Sequence, residues 1–139
     1  MRIITSLLAP AENSAQRENM ACLLTGLFTG EIDPAEVFTA DYQQFTDGHA
    51  LDYQGFVQHL NHVRAQIREI AFTVEEISCQ NHLLADRHIV TVTYPEGHQA
   101  VLEVYMFAAL REGKIWRIHE VTRALSGNAS DRALAHATQ

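Results

Sequence analysis

The chain has 139 residues, of which 47% are hydrophobic and 19% are charged, and its formal net charge is -7. This length suits one domain that folds without a disulfide or a structural metal, and this composition excludes global disorder. Nucleic acid and membrane are excluded as partners, because the chain has no cluster of Lys and Arg and no run of ~18 apolar residues.

Helical periodicity dominates the first third of the chain. Residues 11–29 predict a helix with one apolar stripe, and Gly30 is a typical C-terminal stop. Asp33 and Pro34 begin a short second helix that runs to Phe38. The stripe of the first helix consists of Met20, Leu23, Leu24, Leu27 and Phe28.

A short strand and a third helix follow. Residues 41–45 alternate like a strand, and Asp47 with Gly48 indicates a turn. Asp52 is the expected N-cap of the third helix. Its inner stripe contains Phe56, Val57, Leu60, Val63, Arg64 and Ile67.

From Ile70 onward the hydrophobic period changes from helical to two, which predicts strands. Further strands are predicted over residues 88–94, 100–110 and 115–122, joined by tight turns at 95–98 and 111–114. Residues 124–139 are expected to form a tail. Helices followed by an antiparallel meander predict an α+β domain.

Metal and cofactor sites are not indicated by the sequence. Cys22 and Cys79 lack zinc-ligand spacing, and we expect reduced, mostly buried thiols in a cytoplasmic protein. His59 and His62 lie three apart on the third helix, but no third ligand accompanies them. No Gly-rich phosphate loop occurs, so we expect neither a metal nor a nucleotide cofactor.

Three stretches carry motifs in a characteristic order. Residues 27–38 read LFTGEIDPAEVF, residues 40–42 read ADY, and residues 111–121 read REGKIWRIHEV. They resemble, respectively, the helix junction, the "pDY" motif and the closing hairpin "DGKI-x-x-x-x-E-V" of the SnoaL-like branch of the nuclear transport factor 2-like superfamily.

The resemblance covers residues 11–123 and implies one SnoaL-like domain over residues 1–123. Its expected fold is a cone of three N-terminal helices packed on a curved antiparallel sheet around an apolar pocket. The superfamily includes isomerases, cyclases, epoxide hydrolases, dehydratases and proteins without chemistry, so the fold does not fix the function.

The resemblance also bears on single residues. It places Tyr42 near the cavity, and it matches Glu120 with the acidic residue on the last strand of SnoaL-like cyclases. The chain departs from the family at Phe45, where many members have a His in a "Y-x-x-H" pattern. Asp41 and Gln44 flank Tyr42 and are also candidates for the pocket mouth.

Cross-strand pairing adds a candidate site. If residues 96–97 and 112–113 are two-residue loops, directly opposed residues share a face of the sheet. This register predicts a polar row of His88, Tyr105 and Glu120, with Glu103 one step along. Phe107 and Trp116 are expected to wall the row. A slip of one residue in either turn would break it.

Three interpretations of this row remain open from the sequence. A buried carboxyl beside a phenol and an imidazole suits acid–base catalysis by Glu120, Tyr105 and His88, as in a cyclase or isomerase. The same residues can also bind a small apolar molecule without reacting, or pair for structural reasons. Substrate contacts are expected from Tyr42, Phe28, Phe56, Glu103, Phe107 and Trp116.

The other face of the sheet, with Leu102, Val104, Met106, Ile89 and Val121, is too apolar to be solvated. It is therefore either the covered inner face or a subunit interface. Since one layer of helices cannot cover both faces, we expect a homodimer through the sheet.

Overall fold

The computed structural model describes residues 3–126. In this part of the chain, α-helices and a six-stranded sheet form one α+β unit, so the predicted fold class is confirmed. The helices are α1 (Ile3–Leu8), α2 (Asn13–Thr29) and α3 (Tyr53–Gln66), with a short 3₁₀ helix at Pro34–Glu36. The strands are β1 (Phe38–Thr46), β2 (His49–Asp52), β3 (Glu69–Gln80), β4 (Leu83–Thr93), β5 (Gln99–Arg111) and β6 (Lys114–Ser126).

The predicted helix ends are observed where local chemistry sets them. Gly30 adopts a left-handed φ of 88°, and its N–H donates to the carbonyl of Gly26 at 3.1 Å, which ends α2. The Asp52 carboxylate accepts from the Gly55 N–H at 2.8 Å and begins α3. No helix among residues 3–126 is long and apolar enough to cross a membrane.

The strands lie in the order β2-β1-β6-β5-β4-β3. Neighbouring pairs are antiparallel except β1 and β6, which run parallel and place Thr46 beside Glu120. This parallel pair was not predicted. Strand β6 extends to Ser126, into the segment predicted as a tail, and residues 127–139 lie outside the described part.

Both predicted hairpin registers are wrong by one residue over most of their length. Between β4 and β5, Thr93 pairs with Gln99, so the turn is a longer loop closed by the Tyr94 N–H on the His98 carbonyl at 2.9 Å. Between β5 and β6, Leu110 pairs with Ile115 as predicted. A β-bulge then follows, since Ala109 pairs with Arg117 and leaves the residue between them, Trp116, unpaired.

The hydrophobic core lies between the helices and one face of the sheet, which we call the concave face. Phe38, Tyr42 and Phe56 form an aromatic cluster there, with ring centroids 4.5 to 5.1 Å apart. The other face, which we call the convex face, leaves Tyr105, Phe107 and Val121 exposed.

The two cysteines differ from the expectation. Cys22 and Cys79 are both exposed free thiols rather than buried ones. Each lies on the outward side of its element, which the apolar pattern of the neighbouring residues did not indicate.

Candidate functional site

A cavity of about 110 Å³ lies between α2, α3 and the concave face of the sheet. Its walls are mainly apolar and include Leu27, Phe28, Phe56, Phe72, Val90 and Met106. Five polar side chains also reach it, namely Gln44, His59, His88, Glu120 and Thr122. Since an apolar cavity of about 150 Å³ holds a benzene ring, the volume is of the order of a single small ring.

Glu120 is the carboxyl of the cavity. It lies on β6, and its Oε1 accepts a hydrogen bond from the Thr46 hydroxyl at 2.8 Å. Burial raises the pKa of Glu120, and Asp86 and Asp47 act in the same direction. The Thr46 hydrogen bond and the nearby His88 oppose this rise. A carboxyl whose charged form is disfavoured by burial keeps its proton to a higher pH than an exposed glutamate does, as a group that transfers protons to a ligand requires.

His88 is held by a buried carboxylate. Its Nδ1 lies 2.9 Å from Oδ1 and 3.0 Å from Oδ2 of Asp86, and both side chains are almost completely buried. A carboxylate only accepts, so Nδ1 carries the hydrogen. In the neutral ring Nε2 is then the nitrogen with the lone pair and acts as an acceptor, as in other His–carboxylate pairs.

The sheet register brings these two groups together. Asp86 pairs with Met106 across β4 and β5, and Met106 pairs with Glu120 across β5 and β6. Asp86 and Glu120 therefore lie in one row on the concave face, with His88 two residues along β4. The site thus combines a carboxyl of raised pKa with an oriented imidazole in apolar surroundings.

A chain of side chains on β1 extends from the core to Glu120. The Tyr42 hydroxyl donates to Gln44 Oε1 at 2.6 Å, and Gln44 Nε2 donates to Thr46 Oγ1 at 3.0 Å. Tyr42 is completely buried and lies behind the cavity wall rather than on it. Gln44, which was predicted at the pocket mouth, is 3% exposed and lines the cavity itself.

The remaining polar groups are held by neighbours. The Thr122 hydroxyl and its backbone N–H both donate to the Asp47 carboxylate, the latter at 2.8 Å. His59, on α3, packs edge-on against Phe28 with centroids 6.0 Å apart. Within residues 3–126, no group of three or more His, Cys, Asp or Glu side chains is arranged to hold a metal ion.

Several predicted site residues lie outside the cavity. Tyr105 and Phe107 project from the convex face and are 45% and 53% exposed, so the predicted pairing of Tyr105 with Glu120 is wrong. Tyr105 pairs with Val121 instead. Trp116, the bulge residue, lies beside the guanidinium groups of Arg111 and Arg117 at 4.8 and 4.7 Å.

Glu103 is also misplaced by the predicted register. It is buried on the convex side, where it accepts from Arg87 at 3.1 Å and from Arg123 at 3.0 Å. Burial opposes its ionisation, but the hydrogen bonds from Arg123, Arg87 and Tyr105 lower the pKa of Glu103 overall. This carboxylate belongs to an ion cluster, not to the cavity.

The structure places His88, Glu120, Phe28 and Phe56 around the cavity, where the sequence predicted them. Asp86 and Thr46 were missed. Strand alternation could have found Asp86, because it lies two residues before His88 and shares its face. Phe45, the departure from the family pattern, lies on the opposite face from Gln44 and stacks on His119 at 4.6 Å.

The comparisons with known proteins agree with this architecture. No protein-family profile matches the chain. The uncharacterised protein C11D3.04c of Schizosaccharomyces pombe is 30% identical over 108 residues, which cover 77% of this chain and 83% of that protein.

Among solved structures, IdmH of Streptomyces antibioticus, whose proposed activity is that of a polyketide cyclase, is similar with a TM-score of 0.64 and 16% identity. The match covers 87% of this chain and 97% of IdmH. A Catenulispora acidiphila protein with a ketosteroid isomerase-like fold is similar with a TM-score of 0.62 and 12% identity, over 78% of this chain and 88% of that one. At these identities the likeness establishes the fold alone.

Proposed function

We propose a function from the premise that the chain belongs to one family with the S. pombe protein C11D3.04c and has the nuclear transport factor 2-like fold of SnoaL-like proteins. We propose that this chain binds a small, mainly apolar molecule that carries one polar group, in the cavity between the helices and the sheet. The observation that carries the proposal is the cavity itself, whose walls are mainly apolar and which a few polar side chains reach, among them His88, Glu120 and Gln44.

The binding proposal is tested with two matched probes, phenol and toluene, which differ only in whether a hydroxyl or a methyl group is attached to the ring. We expect phenol, at millimolar concentration, to shift the methyl NMR signal of Met106 and to raise the melting temperature more than toluene does. The hydroxyl can bond to the polar end of the cavity, whereas toluene leaves these groups without a ligand partner.

A pair of variants on β5 controls for nonspecific binding. Val104→Phe fills the cavity and should remove the response to both probes. Val101→Phe adds the same ring on the opposite face of the strand, so the response should remain. If neither probe has an effect on the wild type, or if Val101→Phe abolishes it as well, the binding proposal fails.

A second candidate is an enzyme of the cyclase or isomerase type, which moves a proton on the bound molecule. The observation that favours it is the meeting of Glu120, with its raised pKa, and the oriented His88–Asp86 pair in one apolar cavity. In this reading Glu120 and His88 touch the ligand, while Asp86 orients the imidazole. Tyr105, on the convex face, has no part in it.

Proton transfer is testable without the natural substrate. Cyclopentanone in D₂O exchanges its α-hydrogens when a base removes them, and NMR follows the loss of their signal. We expect exchange above the buffer rate with wild-type protein and about a 100-fold lower protein-dependent rate with Glu120→Gln, which cannot transfer a proton. Exchange at the buffer rate with wild type would count against the enzyme and leave binding alone.

We also propose a homodimer through the convex face. Tyr105, Phe107 and Val121 are 45%, 53% and 57% exposed on adjacent strands, and they lie beside the ion cluster of Arg87, Glu103 and Arg123. Large apolar side chains exposed side by side are typical of an interface, and a two-fold axis lets one patch cover its own copy. The exposed free thiols fit a reducing compartment, which supports the proposal of a cytoplasmic protein.

A further inference from the structure

The hydrogen-bond chain on β1 has a direction that its chemistry fixes. Tyr42, Gln44 and Thr46 are alternate residues of one strand, so their side chains lie on the same face and can bond in sequence. Tyr42 donates to Gln44 Oε1 at 2.6 Å, which requires the amide nitrogen of Gln44 to point the other way. That nitrogen donates to Thr46 Oγ1 at 3.0 Å.

The direction of these hydrogen bonds determines which atom donates to Glu120. A threonine hydroxyl has a single hydrogen, and Thr46 already accepts from Gln44. Its hydrogen is therefore free to go to Glu120 Oε1, which lies 2.8 Å away. Because Oε1 is an acceptor in this bond, a proton taken up by the carboxyl resides on Oε2.

The other groups that face Glu120 do not replace this contact. Asp86 and His88 act on it from β4, and Asp47 acts from the turn between β1 and β2. Those influences are electrostatic, whereas Thr46 supplies the side-chain hydrogen bond. His59 reaches the same cavity from α3.

We propose that Tyr42, Gln44 and Thr46 are positioning residues for Glu120, which fix its carboxyl so that Oε2 is the oxygen that exchanges a proton with a ligand. This inference rests on the proposed function of the cavity. It assigns to β1 a role that neither the fold nor the comparisons indicate. It also explains why a fully buried tyrosine behind the cavity wall bonds to a buried glutamine that lines the cavity.

The test measures the pKa of Glu120 directly, by following its side-chain carboxyl carbon by NMR as pH is varied, with no ligand present. Thr46→Val has nearly the same shape but removes the hydrogen bond, and we expect the pKa of Glu120 to rise by about one unit. Thr46→Ser keeps the hydroxyl and should restore the wild-type value. Tyr42→Phe, at the far end of the hydrogen-bond series from Glu120, should raise the pKa of Glu120 by less.

The matched control is Thr93→Val, which removes another buried threonine hydroxyl, one that accepts from Gln99 at 3.1 Å. It should leave the pKa of Glu120 unchanged. An unchanged pKa in both Thr46→Val and Tyr42→Phe would overturn the inference, and so would an equal rise in Thr93→Val. Since no ligand is used, failure of the phenol and cyclopentanone experiments would not be confused with failure here.

Discussion

Replacing Tyr42 by Phe perturbs one hydrogen bond at the centre of the domain and little else. The ring of Tyr42 packs against Phe38 and Phe56, with centroids 4.5 and 5.1 Å away, and a phenylalanine ring can keep both contacts. Only the hydroxyl is lost, and with it the donor to Gln44 Oε1. Tyr42 is 0% exposed and Gln44 is 3% exposed, so bulk water cannot readily replace the donor.

The expected cost follows from this enclosure. A buried acceptor that loses its donor destabilises the folded state by about 1–3 kcal/mol, which is a sizeable part of the roughly 5–15 kcal/mol that holds a domain. We therefore expect the free energy of unfolding of Tyr42→Phe to fall by about 2 kcal/mol. Urea denaturation measures it through the fluorescence of Trp116, the single tryptophan.

A second substitution distinguishes the hydrogen bond from mere loss of packing. Adding Gln44→Leu to Tyr42→Phe removes the unsatisfied acceptor, so the double variant should lose less free energy than the sum of the two single variants. Tyr53→Phe, at a partly exposed tyrosine, is the control and should change stability by less than about 0.5 kcal/mol. A Tyr42→Phe protein as stable as wild type, or strictly additive effects in the double variant, would refute this reasoning.

Two further predictions concern charge and assembly. Because burial raises the pKa of Glu120, the stability that this carboxyl contributes to the wild type should be lost as pH rises above the ordinary glutamate pKa of about 4.3, and Glu120→Gln should not show this loss. Urea titrations at several pH values should therefore show the variant gaining relative to wild type as pH increases, and a constant difference would contradict this. Phe107→Glu should convert the proposed dimer to monomers of 15.6 kDa by light scattering, while a wild type already of that mass would exclude the dimer.

The long elements could be predicted from the sequence because each carries its own local signal. Helix α2 has an apolar stripe and a glycine stop, and α3 has an aspartate cap. Helix α1 and strand β2 were missed because they are short and depend on tertiary contacts. In α1, Ile4 and Leu7 are buried against the rest of the core, which no local pattern encodes.

The pairing registers of the strands were harder to predict than the helices and strands themselves. The turn at residues 112–113 does have the predicted two-residue form, with φ of 53° at Glu112 and 80° at Gly113. The error enters one step later, at the bulge beside Trp116, where a single unpaired residue shifts every pair that follows. A bulge is decided by packing on both faces of the sheet, so turn chemistry alone cannot reveal it.

The effect of the two register errors on the site follows from the period of a strand. Each error moves β5 by one residue relative to a neighbour, and one residue exchanges the faces of the sheet. Strands β4 and β6 each slipped once against β5, so His88 and Glu120 remained on a common face while Tyr105 changed to the other. The two register errors therefore cancelled for His88 and Glu120, on the strands that flank β5, but not for Tyr105 on β5 itself. Two residues separated by two such register errors therefore still share a face of the sheet, whereas residues separated by one error do not. Here the two residues that still share a face, His88 and Glu120, are the ones that reach the cavity.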